Sequence, residues 1–232
     1  MARSFEDPGP GGGVFADRAE AGRRLAGLFA ERCAERPGRY EPAAVFGLPR
    51  GGVPVAGEVA RELGAPLDVI LVRKLGVPAQ PELAMGALGE GGVEVLDRDL
   101  VERAGVSERQ LDAVRAQEHA ELDRRVARYR GGRPRVEPGG RTAVVVDDGI
   151  ATGATARAAC RVARAQGARR VVLAVPVAPR GWRDWMADAA DELECVREAG
   201  DFFGIGQFYA DFHQTSDAEV LVCLAAADRR SR

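Results

Sequence analysis

Short, nearly unbroken apolar runs recur along this chain at Ala43–Phe46, Leu67–Val72, Val144–Val146, Val171–Val175 and Leu193–Val196. Runs of this length, rich in β-branched residues, predict strands. The run at Val144–Val146 has no polar alternation, as expected of a strand buried on both faces of a parallel sheet. Helices are predicted between the runs. One runs from an Asp17 cap to about Glu35, with Leu25, Leu28 and Phe29 on one face. Others span about Val53–Leu63, the stretch after Thr155 to about Gln166, and Gly181 to about Asp191. A last helix opens with Ser216 and Glu219 at capping-box spacing. This alternation predicts an α/β fold, a parallel sheet of about five strands flanked by helices.

Three stretches break the alternation. Leu75–Leu83 contains Gly76, Pro78 and Pro81 and is predicted to be a long irregular loop. Met85–Leu88 and Val93–Leu96 flank Gly89-Glu90-Gly91-Gly92 and predict an antiparallel hairpin. Ser107 to about Tyr129 predicts a long charged helix packed along one narrow seam of Leu111, Val114, Leu122, Val126 and Tyr129, with Glu121 and Arg125 paired one turn apart. Residues 1–13, with two prolines and four glycines, read as a loose tail.

Composition narrows the function classes. The 232 residues can bury a substantial core, and 46% are hydrophobic. A net charge of −2, from 33 basic and 35 acidic side chains, gives no global attraction to nucleic acid or an anionic membrane. The four cysteines are scattered without a CxxC and the two histidines lie far apart, so no zinc site is expected. Reduced thiols in a cytoplasmic protein are the expectation. Charges begin at Arg3, so no secretory leader is expected, and no apolar run approaches membrane-spanning length. Lys74 is the one lysine among the 33 basic residues.

The chemistry gathers at AVVVDDGIATGAT, Ala143 to Thr155. Asp147 and Asp148 follow the central strand at its C-terminal end, where open α/β sheets place ligands. Ala151, Thr152, Gly153, Ala154 and Thr155 then open a helix, whose N-terminal amides suit a phosphate. Carboxylates for hydroxyls beside a seat for phosphate fit a sugar phosphate. These residues resemble the signature of the type I phosphoribosyltransferases: four apolar residues, two acidic ones and a TGxT-like loop. The resemblance implies that Asp147 and Asp148 hold the ribose hydroxyls of phosphoribosyl pyrophosphate (PRPP) and that 151–155 hold its 5′-phosphate.

A second constellation precedes it. Gly47-Leu48-Pro49-Arg50-Gly51-Gly52 lies between a strand and a helix, where exposed amides can form an anion nest. Arg50, Gly51 and Gly52 look like the pyrophosphate loop of the xanthine–guanine phosphoribosyltransferases, and Arg73 and Lys74 resemble the basic pair ending the corresponding strand. The resemblance runs from about Arg39 to the C-terminus. It implies one domain over 14–232, with a hood from about 84–134 and 200–232. It also implies Mg²⁺-dependent transfer from PRPP to a nitrogenous acceptor, with pyrophosphate contacts and catalytic roles for Arg73 and Lys74. Mg²⁺ would be carried by PRPP and water near Asp147 and Asp148, without a protein cage. Within the aromatic stretch DFFGIGQFYAD, Phe203 or Tyr209 is the candidate base-stacking residue, whereas Trp182 and Trp185 read as packing. A homo-oligomer, in the simplest case a dimer, is expected. The competing reading is a PRPP-binding regulator without catalysis. A Walker-type nucleotide hydrolase is excluded, because GxxxxGK[ST] is missing.

Overall fold

A computed structural model describes residues 15–230, and the tail expected at 1–13 lies outside the described residues. The elements run α1 (Arg18–Glu35), β1 (Ala43–Gly47), α2 (Gly52–Glu62), β2 (Leu67–Val69), β3 (Val72–Val77), β4 (Gln80–Gly89), β5 (Val93–Leu96), α3 (Arg98–Arg103), α4 (Glu108–Arg130), β6 (Thr142–Val146), α5 (Ala154–Ala165), β7 (Arg170–Pro179), α6 (Trp182–Met186), β8 (Glu192–Ala199) and α7 (Asp217–Arg230). A single 3₁₀ turn covers Ile205–Phe208.

Five parallel strands form the main sheet in the order β2-β1-β6-β7-β8. Strand β6 sits in the middle, and its side chains alternate between two cores. Val144 and Val146 face Leu25, Phe29, Val53 and Val59 of α1 and α2, while Ala143 and Val145 face Ala159 and Val162 of α5 and Trp182 of α6. Fully burying each such valine contributes about 1.5–3 kcal/mol. The Asp17 cap forms as expected, its carboxylate accepting from the Glu20 amide at 2.7 Å. The Ser216–Glu219 box also forms, with reciprocal bonds of 2.7 and 3.2 Å.

The second, smaller sheet is antiparallel, in the order β3-β4-β5. Here the structure corrects two expectations. Leu67–Val72 is not one strand: after Val69 the chain leaves the main sheet, and Val72 instead pairs with Gly89 on β4. Nor is Leu75–Leu83 an irregular loop. It is the end of a two-stranded arm, β3 running into β4 through a turn at 78–79. Gly76 makes this possible, since a Cβ there would lie 2.4 Å from the Pro81 carbonyl oxygen, and the register slips beside it. Proline and glycine thus mark a bulged, exposed strand end. Helix α5 touches strands of both sheets, and a Cβ on Gly89 of β4 would strike its Val162. The expected helix from Gly181 to Asp191 is a shorter one, Trp182–Met186.

The charged helix α4 packs along its expected seam, with Leu111, Leu122 and Tyr129 buried and Val114 and Val126 beside them. Glu121 pairs with Arg125 at 3.1 Å. Its C-terminal end is fixed by Asp68, a fully buried carboxylate inside the apolar run of β2. Both Asp68 oxygens accept from Arg130 Nη1 at 2.6 Å, and one accepts from Arg133 Nη1 at 3.2 Å. The amides of Val69 and Val136 also donate to it, at 2.8 and 2.9 Å. Arg130 continues to Glu90 beside the small sheet, and Arg133 to Asp228 on α7. Burial of these charges is tolerable because every one is paired and hydrogen-bonded.

Asp68→Ala is expected to lower the unfolding free energy by about 3 kcal/mol, the low end for breaking a buried ion pair, because Glu90 and Asp228 still hold the two arginines. Urea denaturation checks it, and an unchanged midpoint would show that Asp68 is dispensable.

Candidate functional site

The site is built where two neighbouring strands end. Gly47 closes β1 opposite Val146, the last residue of β6. Beyond them the chain turns into the 48–51 loop on one side and the acidic pair on the other, and the Leu48 amide donates to the Val146 carbonyl at 2.8 Å. The Pro49–Arg50 peptide is cis. This loop lies directly on the carboxylates. A Cβ on Gly52 would sit 2.5 Å from the Val146 oxygen and 2.8 Å from Asp147 Cα. On Gly51 it would overlap Asp148 Oδ2 and lie 3.1 Å from Arg18 Nε. A side chain at Gly52 would collide with backbone, and one at Gly51 would displace the Asp148 carboxylate.

Burial pushes the Asp147 carboxyl well above the ordinary carboxylate range, and the adjacent Asp148 charge pushes it further; the Asp148 amide and Arg18 act in the opposite direction. Asp148 is also raised by burial, but Arg18 draws it back through a hydrogen bond and its charge. Arg18 stands at the start of α1 and is 8% exposed. Its Nε donates to Asp148 Oδ2 at 2.8 Å and its Nη1 to the His213 carbonyl at 2.7 Å. Its guanidinium lies 4.0 Å over the Phe212 ring. Tyr209 adds a second tie, its hydroxyl donating to the Asp148 carbonyl at 2.6 Å.

The loop after the pair leads into α5. Gly153 is its N-cap, with φ of +71°, where a residue with a Cβ is strained. A Cβ there would also meet Trp185 at 2.6 Å and Met186 at 2.9 Å. The packing role read for the tryptophans takes this form: Trp182 is fully buried, and Trp185 backs Gly153. No side chain caps α5, so the first-turn amides remain available beside exposed Ala151, Thr152 and Thr155. On the other flank Gly149 abuts Ile205 of the 3₁₀ turn.

Of the remaining sequence candidates, Arg50 sits in the glycine loop and forms no ion pair among the described residues; its charge is felt at Tyr129 and Asp217. Arg73 and Lys74 have different partners, because consecutive residues of a strand point to opposite faces. Arg73 Nε donates to Glu118 on α4 at 2.6 Å, whereas Lys74 Nζ reaches the Glu82 carboxylate at 3.2 Å and carbonyl at 3.3 Å. Phe203 is 93% exposed. Tyr209 is buried between Phe15 and Phe212, with ring centroids 5.3 and 4.9 Å away, so its ring offers no open face for a base. Sequence reading missed Arg18 altogether. Its distance from Asp148, 130 residues along the chain, left no local signal.

His213 anchors the segment that receives Arg18. Its ring nitrogens lie 3.0 Å from Glu219 and from Asp211, which raise its pKa above the ordinary histidine value. Since the folded value is the higher one, this tie is complete at low pH and lost as pH rises through the raised pKa. In NMR titration His213 is expected to titrate above about 6.5, and Glu219→Gln is expected to bring it down. A midpoint indifferent to that substitution would remove Glu219 as the cause.

Comparison with known proteins agrees with this geometry. The phosphoribosyl transferase domain family matches residues 15–213. Two Mycobacterium tuberculosis proteins, provisionally named phosphoribosyl transferases, are each 54% identical over 216 residues, covering 93% of this chain. The chain spans about half of their length, 47%. The crystal structure of TT1426 from Thermus thermophilus is 42% identical, with a TM-score of 0.82 over 91% of this chain and 98% of that one. With its acidic pair, glycine loop and central parallel sheet, the chain belongs to the phosphoribosyl transferase domain family.

Proposed function

We propose that this chain moves the phosphoribosyl group of PRPP to a nitrogenous acceptor and releases pyrophosphate. The observation that carries the proposal is the seating of Gly51 and Gly52 on Asp148 and Asp147. A hydroxyl-binding pair and an amide-rich loop thereby share one small space, next to an uncapped helix N-terminus. A molecule with ribose hydroxyls between two phosphate-bearing ends matches that arrangement.

In this reading Asp147 and Asp148 accept the ribose hydroxyls, and residues 151–155 hold the 5′-phosphate through backbone amides and the Thr152 and Thr155 hydroxyls. The Arg50–Gly52 loop receives pyrophosphate. Asp148 Oδ2 is engaged by Arg18 and Asp147 Oδ1 by the Asp148 amide, each at 2.8–2.9 Å. Neither Arg18 nor the Asp148 amide bonds the other oxygen of its carboxylate, so the donor set suits hydroxyls or the waters of Mg²⁺. No protein ligand is assigned to that ion; when bound, it offsets pyrophosphate charge. Breaking the C1–O bond leaves positive charge on the sugar ring, in an oxocarbenium-like transition state. Charge accumulates on pyrophosphate meanwhile, and a cation aimed at it favours the transition state over the ground state. Lys74 on the β3–β4 arm is assigned that role once pyrophosphate displaces Glu82, and Arg73 supports it from the other face. Phe203 is the candidate base-stacking surface, on a segment adjoining Ile205 and so Gly149. The small sheet, α3, α4 and the segment from 200 onward form the hood.

Pyrophosphate release with PRPP, Mg²⁺ and a panel of purine and pyrimidine bases tests the proposal. Release with at least one acceptor is expected. PRPP binding with no release for any acceptor would turn the reading to a regulator, and no PRPP binding would overturn both. In calorimetry, Asp147→Asn with Asp148→Asn is expected to abolish PRPP binding in a folded protein. Unchanged affinity would remove the ribose assignment. Lys74→Ala is expected to lower single-turnover rates on the order of 10²-fold, with a much smaller change in PRPP affinity. A wild-type rate would return Lys74 to an ordinary pairing with Glu82.

A further inference from the structure

Arg18 joins both sides of the site. It hydrogen-bonds Asp148 at 2.8 Å, lies 3.1 Å from where a Gly51 Cβ would be, covers Phe212, and donates to the His213 carbonyl. We propose that Arg18 is a positioning residue for the sugar site: it holds Asp148 in place as a carboxylate and joins it to the 209–216 segment. The proposal rests on the reading of Asp148 as a ribose-hydroxyl acceptor.

Burial beneath the glycine loop shifts both carboxyls toward the neutral form, and the Asp148 charge adds to the shift at Asp147. A protonated Asp148 would offer a hydroxyl where the sugar needs an acceptor. Arg18 opposes this with the charge of its guanidinium. Arg18 bonds one oxygen only and does not itself occupy the other. Stacking on Phe212 and the bond to the His213 carbonyl fix the guanidinium, which reduces the conformational freedom lost when ligand binds. The Tyr209 hydroxyl, on the same segment, holds the Asp148 backbone. Side chain and main chain of one residue are therefore both set by the 209–216 stretch.

A double-mutant cycle tests this, with calorimetric binding of ribose 5-phosphate and, separately, inorganic pyrophosphate, plus thermal melts. Arg18→Gln is expected to weaken ribose 5-phosphate by about tenfold or more, the factor for one lost charged hydrogen bond, and to leave pyrophosphate within about threefold. Asp148→Asn should cost a similar factor. In the double mutant the loss should be no greater than for Asp148→Asn alone, because Arg18 acts through that carboxylate. Thermal stability should fall in Arg18→Gln, which leaves a buried carboxylate unpaired, and recover in the double mutant. Arg18→Lys, which keeps the charge but loses the planar stack on Phe212, should restore part of the sugar affinity lost in Arg18→Gln. Multiplied losses in the double mutant, equal losses for both ligands, failure of Arg18→Lys to rescue, or wild-type affinity in Arg18→Gln would each overturn the proposal. If Arg18→Gln does not fold, a folded double mutant that binds like Asp148→Asn supports it, and an unfolded one overturns it. Wild-type protein that ignores ribose 5-phosphate would instead overturn the function assigned to Asp148.

Discussion

The site exists because two residues have no side chains. Gly51 and Gly52 let the loop after β1 rest on the carboxylates after β6, at separations that even one methyl group would close. Adjacent parallel strands bring their C-terminal ends together, and the pairing of Gly47 with Val146 sets the height at which both loops begin. Everything chemical then depends on that contact. It sets the Gly51–Gly52 backbone directly against the acidic pair, rather than leaving two separate neighbouring loops.

That contact has an electrostatic consequence. Pressing a loop onto Asp147 and Asp148 removes water, and desolvation is the largest influence on both carboxyls. Arg18 is the compensating charge for Asp148, delivered by a different helix. Asp147 has only the Asp148 amide at close range. The pair is thus asymmetric in its partners: Asp148 has a fixed guanidinium beside its side chain, and Asp147 has none bonded to it among the described residues.

A second ionic assembly braces the fold at a distance from the site. Asp68 gathers Arg130, Arg133 and the Val136 amide, and through them ties α4, the small sheet and α7 to the edge of the main sheet. Helix α5, with the 151–153 loop at its N-terminus, is packed between both sheets. Such double-sided packing restrains the helix against tilting, and the amides at its first turn are held accordingly.

Local patterns in the sequence determined a good deal. The Val144–Val146 run before Asp147 and Asp148, the glycines at 51 and 52, the Thr152–Thr155 stretch, and the caps at Asp17 and Ser216 all depend on neighbours within a few residues. The five-strand parallel architecture followed from the alternation of such segments. What the sequence left undecided involves residues far apart in the chain. Asp68 sits within an apolar run where nothing local marks its role, and its partner Arg130 comes from α4. Arg73 and Lys74 looked like one basic pair until pairing with β4 sent them to opposite faces. Gly76, Pro78 and Pro81 looked like a loop because the ladder across from them comes from a fold in the same arm. Arg18 looked like any helical arginine. Periodicity and turn chemistry are written in short stretches of sequence, whereas an ion pair across 130 residues exists only once packing has decided which surfaces meet.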